Sequence, residues 1–570
     1  MSMQPESVTV KVDSGGKFSI ERTAIARINP KRCVNCGTCR EYCPAEAIHE
    51  QQREICRICP DCTTKPAMTF DEMQNLTDHR ACTTACPLGI SPQGYVNLIR
   101  KGNLEAAYKL VWEKNPLPSI CGRICHHPCE QDCKRGILVD EPIAIRGLKR
   151  FLAEALPQWR PAPYPQVHEE CVAVIGSGPA GLTAAHYLAR CGYQVSVFDE
   201  ACEPGGMLMR GIPAFRLPRD VVRQEIEALE EAGITFRLGE KIGRSAVEGI
   251  MAEYDAVVVA TGASLSKELK IPGWRSEGVL LAIDFMERVN HGQDINRHPS
   301  QEFRVDGNVV VIGGGSVAFD TARTALRQGA GQVTVICLEC GDEIPCHPWE
   351  MEEARQEGVK VLPGLIPQRF TGVLSRVDGV EVCDVADFHK DSNGCIRCSA
   401  KAGTERIIPA DWVVVAIGQA ADAFWDTVPE EYKVFFAGDV SSQKCSVVDA
   451  MASGKKIALE VDALLRGRTL KDALALRQLG RAPAEEKIYP ATRLKLERRA
   501  MPLQDAGRRI HNNDEVELGF KPDDALAESM RCLQCGYQEV DVQRCIGCGV
   551  CQRICPAGDA IAMVATDKEV

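Results

Sequence analysis

The 570-residue sequence has no run of 18 or more apolar residues, so no segment is expected to span a membrane. Its opening, MSMQPESVTVKVDSGG, lacks both a basic start and an apolar stretch. A secretory leader is therefore not expected, and the expected location is cytoplasmic. Positive charge is not in surplus either: the formal net charge is −11, which argues against nucleic acid as the main partner. No Ser/His/Asp set and no pair of catalytic carboxylates stands out, so no catalytic side chain is assigned. What the chain has in abundance is cysteine, 29 in all. In a chain of this length without a leader, metal or redox use is expected rather than disulfides. Nineteen fall in three groups, at 33–62, 82–133 and 532–555, and the ten others are read as small buried residues or incidental thiols. Apolar (45%) and charged (25%) contents are those of a soluble globular protein, with room for about two to five domains.

Residues 171–181, CVAVIGSGPAG, run an apolar strand into Gly176-x-Gly178-x-x-Gly181 and then a helix. Gly176 permits the tight turn, Gly178 lets backbone approach a pyrophosphate, and Gly181 lets helix pack on strand. A second strand, QVSVF, ends at Asp199, where a carboxylate can take ribose hydroxyls. The pattern repeats at NVVVIGGGSVAFD (308–320), with Gly313-x-Gly315-x-x-Ala318. Two such folds in series predict two dinucleotides: FAD in the first, and a nicotinamide nucleotide in a second fold inserted into it. The short strands YDAVVVATGA (254–263) and VFFAGDV (434–440), ending in Thr261-Gly262 and Gly438-Asp439, support the FAD assignment.

The sequence here resembles the two-dinucleotide flavoproteins that include the disulfide reductases. More narrowly, PGGMLMRGIPAFRLPRDVVRQEI (204–226), GGGSVAFDTARTALRQGA (313–330) and VVVAIGQ (413–419) are similar to the small subunit of glutamate synthase and its relatives, over about residues 80–465. The resemblance implies FAD contacts at Gly206, Arg210 and Asp439, and a nicotinamide-nucleotide contact at Gly418. Disulfide-reductase chemistry is not expected. The cysteine pair which that chemistry needs beside the flavin is missing, and Cys337-x-x-Cys340 lies where a dinucleotide ribose belongs.

Glutamate-synthase-like relatives hold the NADP 2′-phosphate with paired arginines after the strand equivalent to QVTVIC. This chain has Cys337-Leu338-Glu339 there, and no Lys or Arg between Gly331 and Ala354. Glu339, Asp342, Glu343, Glu350, Glu352 and Glu353 are acidic. A phosphate would meet like charge, whereas a ribose hydroxyl can donate to a carboxylate. NADH is expected over NADPH.

Cys33-x2-Cys36-x2-Cys39-x3-Cys43-Pro44 has the bacterial ferredoxin spacing, in which three cysteines take one [4Fe–4S] cubane and the fourth ligates a neighbour. Cys56, Cys59 and Cys62 follow, with Pro66 where an eighth cysteine would stand. One cubane is read as Cys43, Cys56, Cys59 and Cys62. For Cys33, Cys36 and Cys39 three arrangements are open: a three-iron cluster, a borrowed ligand, or a different pairing of the halves.

Cys82, Cys86, Cys121, Cys125, Cys129 and Cys133, with the sequence around them, look like the helical two-cluster domain of glutamate synthase small subunits and dihydropyrimidine dehydrogenase. In that family a Glu or Gln downstream ligates one cluster. By position it is Lys149 here, and an ammonium has no lone pair to offer. Cys121 can substitute, grouping Cys86, Cys121, Cys125 and Cys129. The sister cluster normally draws on an RCLxC segment upstream, but here that segment is AESMRCLQCG near the C-terminus. Cys532 and Cys535 therefore either fold back to join Cys82 and Cys133, or belong to the tail. Cys545, Cys548, Cys551 and Cys555 again have ferredoxin spacing. Four or five cubanes are expected.

The expected fold is an α/β two-dinucleotide-binding-domain flavoprotein with an α-helical double [4Fe–4S] domain and ferredoxin-like α+β modules at both ends. Its domains are a ferredoxin-like module (1–78), the helical domain (79–165), FAD (166–300 and 416–470), NAD(H) (301–415), a linker excursion (471–522) and a second ferredoxin-like module (523–570). The resemblance implies an electron-transfer subunit in a hetero-oligomer, moving electrons between NADH, FAD and clusters, to or from ferredoxin or a catalytic partner subunit. Glutamate synthase small subunit, a flavin-bifurcating transhydrogenase subunit, and a non-catalytic wiring scaffold are the alternatives.

Overall fold

A computed structural model describes residues 8–12, 18–22, 24–29, 33, 38–41, 43, 45, 47–52, 54–55, 82–292, 303–373, 375–390, 396–422, 433–441, 446–467, 487–488, 495–540, 550–556 and 560–565. The chain divides into two compact units: Met1–Arg160 with Ala458–Met501 and Gly519–Val570, and Pro161–Ile457 with Pro502–Leu518. Among the described residues no helix is long and apolar enough to cross a membrane.

The second unit is built on two parallel five-stranded sheets. In the first, the order is Val434–Phe436, Ala256–Val259, Cys171–Ile175, Gln194–Asp199, Thr235–Leu238. In the second it is Val279–Leu281, Trp412–Val415, Asn308–Ile312, Gln332–Cys337, Lys360–Pro363. The central strands are near-continuous Val, Ile and Ala, because layers on both faces leave no side for polar residues. An antiparallel sheet, Leu365–Val373, Arg376–Lys390, Ile396–Ala400 and Arg406–Pro409, follows the second.

One boundary differs from expectation. Val279–Leu281 pairs with Trp412–Val415, and Ala282, Phe285, Met286 and Val289 join the core of the second sheet. Residues 279–292 therefore belong to the inserted fold and not to the FAD segment. The break was expected at 300, but a short apolar strand upstream supplies the sheet's edge.

In the first unit the two termini fold together. Ala24–Ile28 pairs antiparallel with Ile561–Ala565, and Ile48–Gln52 with Gly536–Val540. The helices Thr38–Glu41 and Val550–Ile554 accompany these strands, and Ile25, Ile48, Cys39, Cys551 and Ile561 share one core. Two separate terminal modules were expected; the described residues show one, with half its strands from each end of the chain.

The helical part contains Pro92–Arg100, started by Pro92 and capped by Ser91, whose hydroxyl accepts from the Gly94 amide (3.1 Å). Pro118–Ile124 crosses Ile145–Ala155 closely enough that a Cβ on Gly122 would lie 2.7 Å from the Arg150 Cα. The helix Pro522–Met530 returns to this domain, and Arg531 anchors it. The Arg531 guanidinium donates to Asp140 (3.0 Å), Glu528 (2.6 Å) and the carbonyls of Glu141, Pro142 and Leu496. Arg135 binds the same Asp140 through both its oxygens (2.6 Å each) and donates to the Arg531 carbonyl. Burial disfavours the Asp140 carboxylate, but the Arg135 guanidinium and backbone amides outweigh it and hold the carboxyl down to about 2.

Most of the described part of 471–522 is exposed or half-buried, and Arg509, Val516, Gly519 and Phe520 are its buried residues. Arg498 pairs with Glu130, and in the second unit buried Arg509 pairs with Glu357 at 2.8 Å. A basic, polar composition reads as solvated from sequence, yet here its arginines meet carboxylates drawn from distant segments.

Asp140→Asn leaves two buried guanidinium groups short of charge. It is expected to cost about 3–5 kcal/mol in a denaturant titration, and to raise amide exchange across 495–535 before the rest of the chain.

Candidate functional site: two dinucleotide cradles and paired cysteine groups

In the first fold, Gly176 holds φ +105°, and a Cβ there would strike the Ala260 carbonyl at 2.4 Å. A Cβ on Gly181 would sit 1.9 Å from the Gly176 carbonyl, so helix and loop touch as the spacing implied. Gly178 faces open space, and a Cβ on Gly206 would come within 3.0 Å of the Gly178 Cα. Two glycine backbones thus face each other at the start of the helix Pro179–Cys191, a cradle that fits a pyrophosphate. Asp199 accepts from the Ser177 amide (2.8 Å) and hydroxyl, and Ser177 Oγ accepts from the Gly205 amide (3.1 Å). Ser177 was not foreseen; the small polar residue between two motif glycines was its sequence signal. Gly262 (φ +69°) follows Thr261 at the end of Ala256–Val259. Gly438, at φ +79°, presses within 2.7 Å of the Ala180 Cβ by the same measure, which places the Asp439 backbone beside the cradle. Arg210 instead pairs with Glu287 (3.0 Å).

In the second fold, Gly313 turns at φ +139° and Gly315 caps the helix Ser316–Arg327, its Cβ position open. Ala318 is fully buried. Glu339 is also buried, and its Oε2 lies 3.0 Å from where a Cβ on Gly314 would stand. The carboxylate therefore sits against the phosphate loop. Arg216 enters this fold, but Asp320 (2.7 Å) and Glu350 hold its guanidinium. Gly418 (φ +102°) accepts from the Lys267 amide. Burial, with Glu339 beside it, pushes the Cys337 thiol up to about 12, the opposite of an activated redox thiol.

The structure brings Cys82, Cys133, Cys532 and Cys535 around one small pocket, whose lining also includes Pro92, Val96 and Leu533. Burial pushes the Cys82 thiol well up, and the charges of Cys133, Cys535 and Cys532 add to it. Four thiols that repel one another as anions suit a cationic core that takes thiolates. Among the described residues no three His, Cys, Asp or Glu side chains close on a point where a single metal ion could sit. Backbone amides already serve the sulfurs: Ile143, Arg135 and Gly136 donate to Cys133, Gln534 to Cys532, and His127 to Cys125 (3.4 Å). Only three non-glycine residues among those described have positive φ, and His127 (+46°) and Gln534 (+52°) are two of them. Each stands two residues after a cysteine, bent so that its N–H meets that sulfur. Asn97 Nδ2 also approaches Cys532 Sγ (3.8 Å).

Cys86, Cys121, Cys125 and Cys129 form the second group, and their charges bear on the buried Lys149 ammonium. In the terminal module, Cys39 and Cys551 share the core, and Cys43 and Cys555 border it. Cys33 is described; Cys36, Cys56, Cys59, Cys62, Cys545 and Cys548 lie outside the described residues.

Three family profiles match: pyridine nucleotide-disulphide oxidoreductase at residues 171–428, dihydropyrimidine dehydrogenase domain II, 4Fe-4S cluster, at 73–159, and 4Fe-4S binding domain at 26–49. The NADP(+)-dependent formate dehydrogenase subunit beta of Moorella thermoacetica is 35% identical, over 80% of this chain and 70% of its own length. The glutamate synthase [NADPH] small chain of Halomonas elongata is 34% identical (66% and 86%). The NAD-dependent dihydropyrimidine dehydrogenase subunit PreT of Escherichia coli is 30% identical (73% and 98%).

If Cys82, Cys133, Cys532 and Cys535 serve one cubane, Cys82→Ala and the Cys532→Ala/Cys535→Ala double variant each lose the iron of one cluster. The triple variant then loses no more. Additive loss in iron analysis would place Cys532 and Cys535 elsewhere.

Proposed function

The chain belongs to the pyridine nucleotide-disulphide oxidoreductase family, among its iron–sulfur flavoproteins, and from that premise we propose that it is the NADH-linked electron-transfer subunit of a larger enzyme. It is an NAD(P)H-dependent oxidoreductase that carries flavin and [4Fe–4S] clusters. Bound FAD supplies the exchange between electron pairs and single electrons, and the cubanes carry single electrons. The chain's own residues place these groups. Gly176, Gly178, Gly181 and Gly206 receive a pyrophosphate, with Asp199 tied to their loop through Ser177. Gly313 and Gly315 do the same for the nicotinamide nucleotide.

The choice of NADH rests on Glu339. Its carboxylate lies against Gly314, where an adenosine ribose would follow the phosphates, and it can accept from both ribose hydroxyls. Arg216, a cation that enters this fold, is engaged by Asp320 and Glu350 and is not available to a 2′-phosphate. Relatives are named for both nucleotides, so this chain's own side chain carries the assignment. Relatives are also named as subunits, which supports a partner here: ferredoxin or a catalytic subunit.

The paired terminal strands suggest how the ferredoxin-like clusters share ligands. In this spacing the fourth cysteine serves the other cluster. Cys43 would then complete Cys545, Cys548 and Cys551, and Cys555 would complete Cys33, Cys36 and Cys39. This arrangement supplies the borrowed ligand that the N-terminal motif needs, and leaves Cys56, Cys59 and Cys62 to a separate site.

With a viologen dye under anaerobic conditions, the isolated holoprotein is expected to reduce dye with NADH and much more slowly with NADPH. Glu339→Gln should raise the NADPH/NADH ratio of kcat/KM by about tenfold or more, as relief of one like-charge contact allows. Wild-type preference for NADPH would overturn the assignment. Separately, deleting residues 536–570 is expected to remove the iron of two cubanes, because the N-terminal motif loses its partner strands. Loss of one alone would mean two independent modules.

A further inference from the structure

The helix Ile145–Ala155 carries three buried or half-buried basic residues, Arg146, Lys149 and Arg150, and two of them have ordinary partners. Arg146 donates to the Arg123 carbonyl, and Arg150 pairs with Glu154 (2.8 Å). Lys149 differs. It is 7% exposed, and among the described residues no carboxylate or carbonyl receives its Nζ. The groups that act on it are the sulfurs of Cys125, Cys121, Cys129 and Cys86, in that order, and Lys149 is in turn the strongest cation acting on Cys125. Its place is set by backbone. Gly122 lets Pro118–Ile124 close on the helix at Arg150, which brings Cys121 and Lys149, the neighbours of the two contact residues, to the same crossing. Three residues before Arg150 and on the same face of that helix, a Cβ on Gly147 would meet the Phe520 ring at 2.6 Å, so the helix is closely packed along this stretch.

A buried ammonium without a counter-ion is costly, as any unpaired buried charge is. Four thiolates around an iron–sulfur cubane carry net negative charge that grows by one on reduction. A protonated amine cannot coordinate iron, yet its charge in a poorly screened interior stabilises the reduced, more negative state more than the oxidised one.

We propose that Lys149 is the fixed counter-charge of the cluster held by Cys86, Cys125 and Cys129 with Cys121, and that it raises this cluster's reduction potential without ligating it. Lys149 is thus a positioning and tuning residue. It stands where the resembling family places a Glu or Gln ligand, so the same helix position changes from ligand to electrostatic partner. This rests on the cluster reading above, and Cys125→Ala tests that reading separately: it must lose the iron of one cubane.

The test is a reductive titration of the iron-replete holoprotein with dithionite, each cluster followed by electron paramagnetic resonance. In Lys149→Met one cubane is expected to become harder to reduce by tenfold or more in its reduction equilibrium, which is about 59 mV for one electron. The other clusters should titrate as in wild type, and Lys149→Arg should restore the potential. If Lys149→Met sheds that cubane while Lys149→Arg keeps it, the charge is needed to hold the anionic cluster, which also supports the proposal. Wild-type potentials throughout in iron-replete Lys149→Met would overturn it. So would loss of one cubane in both variants, which would make Lys149 a ligand. Full iron in Cys125→Ala would instead remove the cluster itself from this site.

Discussion

The cluster-bearing unit depends on a buried ion network that ties the returning C-terminal segment to the helical domain. Asp140 accepts from both Arg135 and Arg531, and Arg531 also takes Glu528 and three backbone carbonyls. Nothing local demands that residues 522–535 pack against residues 92–155. Charges this deeply buried do demand it, since each is costly unless it meets its partner. Once Arg531 is seated, the next residue is Cys532, and Cys532 and Cys535 face Cys82 and Cys133 across the cavity. The guanidinium closes the unit, and the cysteines are placed as a consequence.

The same economy governs the sulfurs. His127 and Gln534 accept left-handed backbone conformations, and each amide thereby reaches the sulfur two residues earlier. N–H donors favour a thiolate over a thiol, as does a cation such as Lys149. In the dinucleotide folds, close backbone approach does the corresponding work: Gly178 faces Gly206, and Gly438 presses on Ala180. Strain and missing side chains collect where a ligand's charge is to be met, whereas the sheets behind them are ordinary Val and Ile strands.

Much of this was legible in the residues. The two glycine fingerprints landed on strand-to-helix turns because the motif is local: its strand, turn and helix are contiguous. The grouping of Cys82 and Cys133 with Cys532 and Cys535 was one of two open readings, because four hundred residues separate the pairs and spacing says nothing at that range. Arg210 was expected at the flavin and pairs with Glu287, a partner 77 residues away. The strand Val279–Leu281 was assigned to the wrong fold, since three apolar residues do not reveal which sheet they border.

Local features therefore came from sequence alone: which segments make glycine turns at a helix start, which cysteines are grouped by spacing, and that Glu339 follows the strand Gln332–Cys337. Each of these needs only residues within a few turns of one another. Tertiary structure decided what joins across the chain. It paired Ala24–Ile28 with Ile561–Ala565 and made one ferredoxin-like core from two ends. It brought Arg509 to Glu357 and set Lys149 among four cysteines. Such contacts are chosen by burial and charge compensation over the whole chain, quantities that no single segment contains.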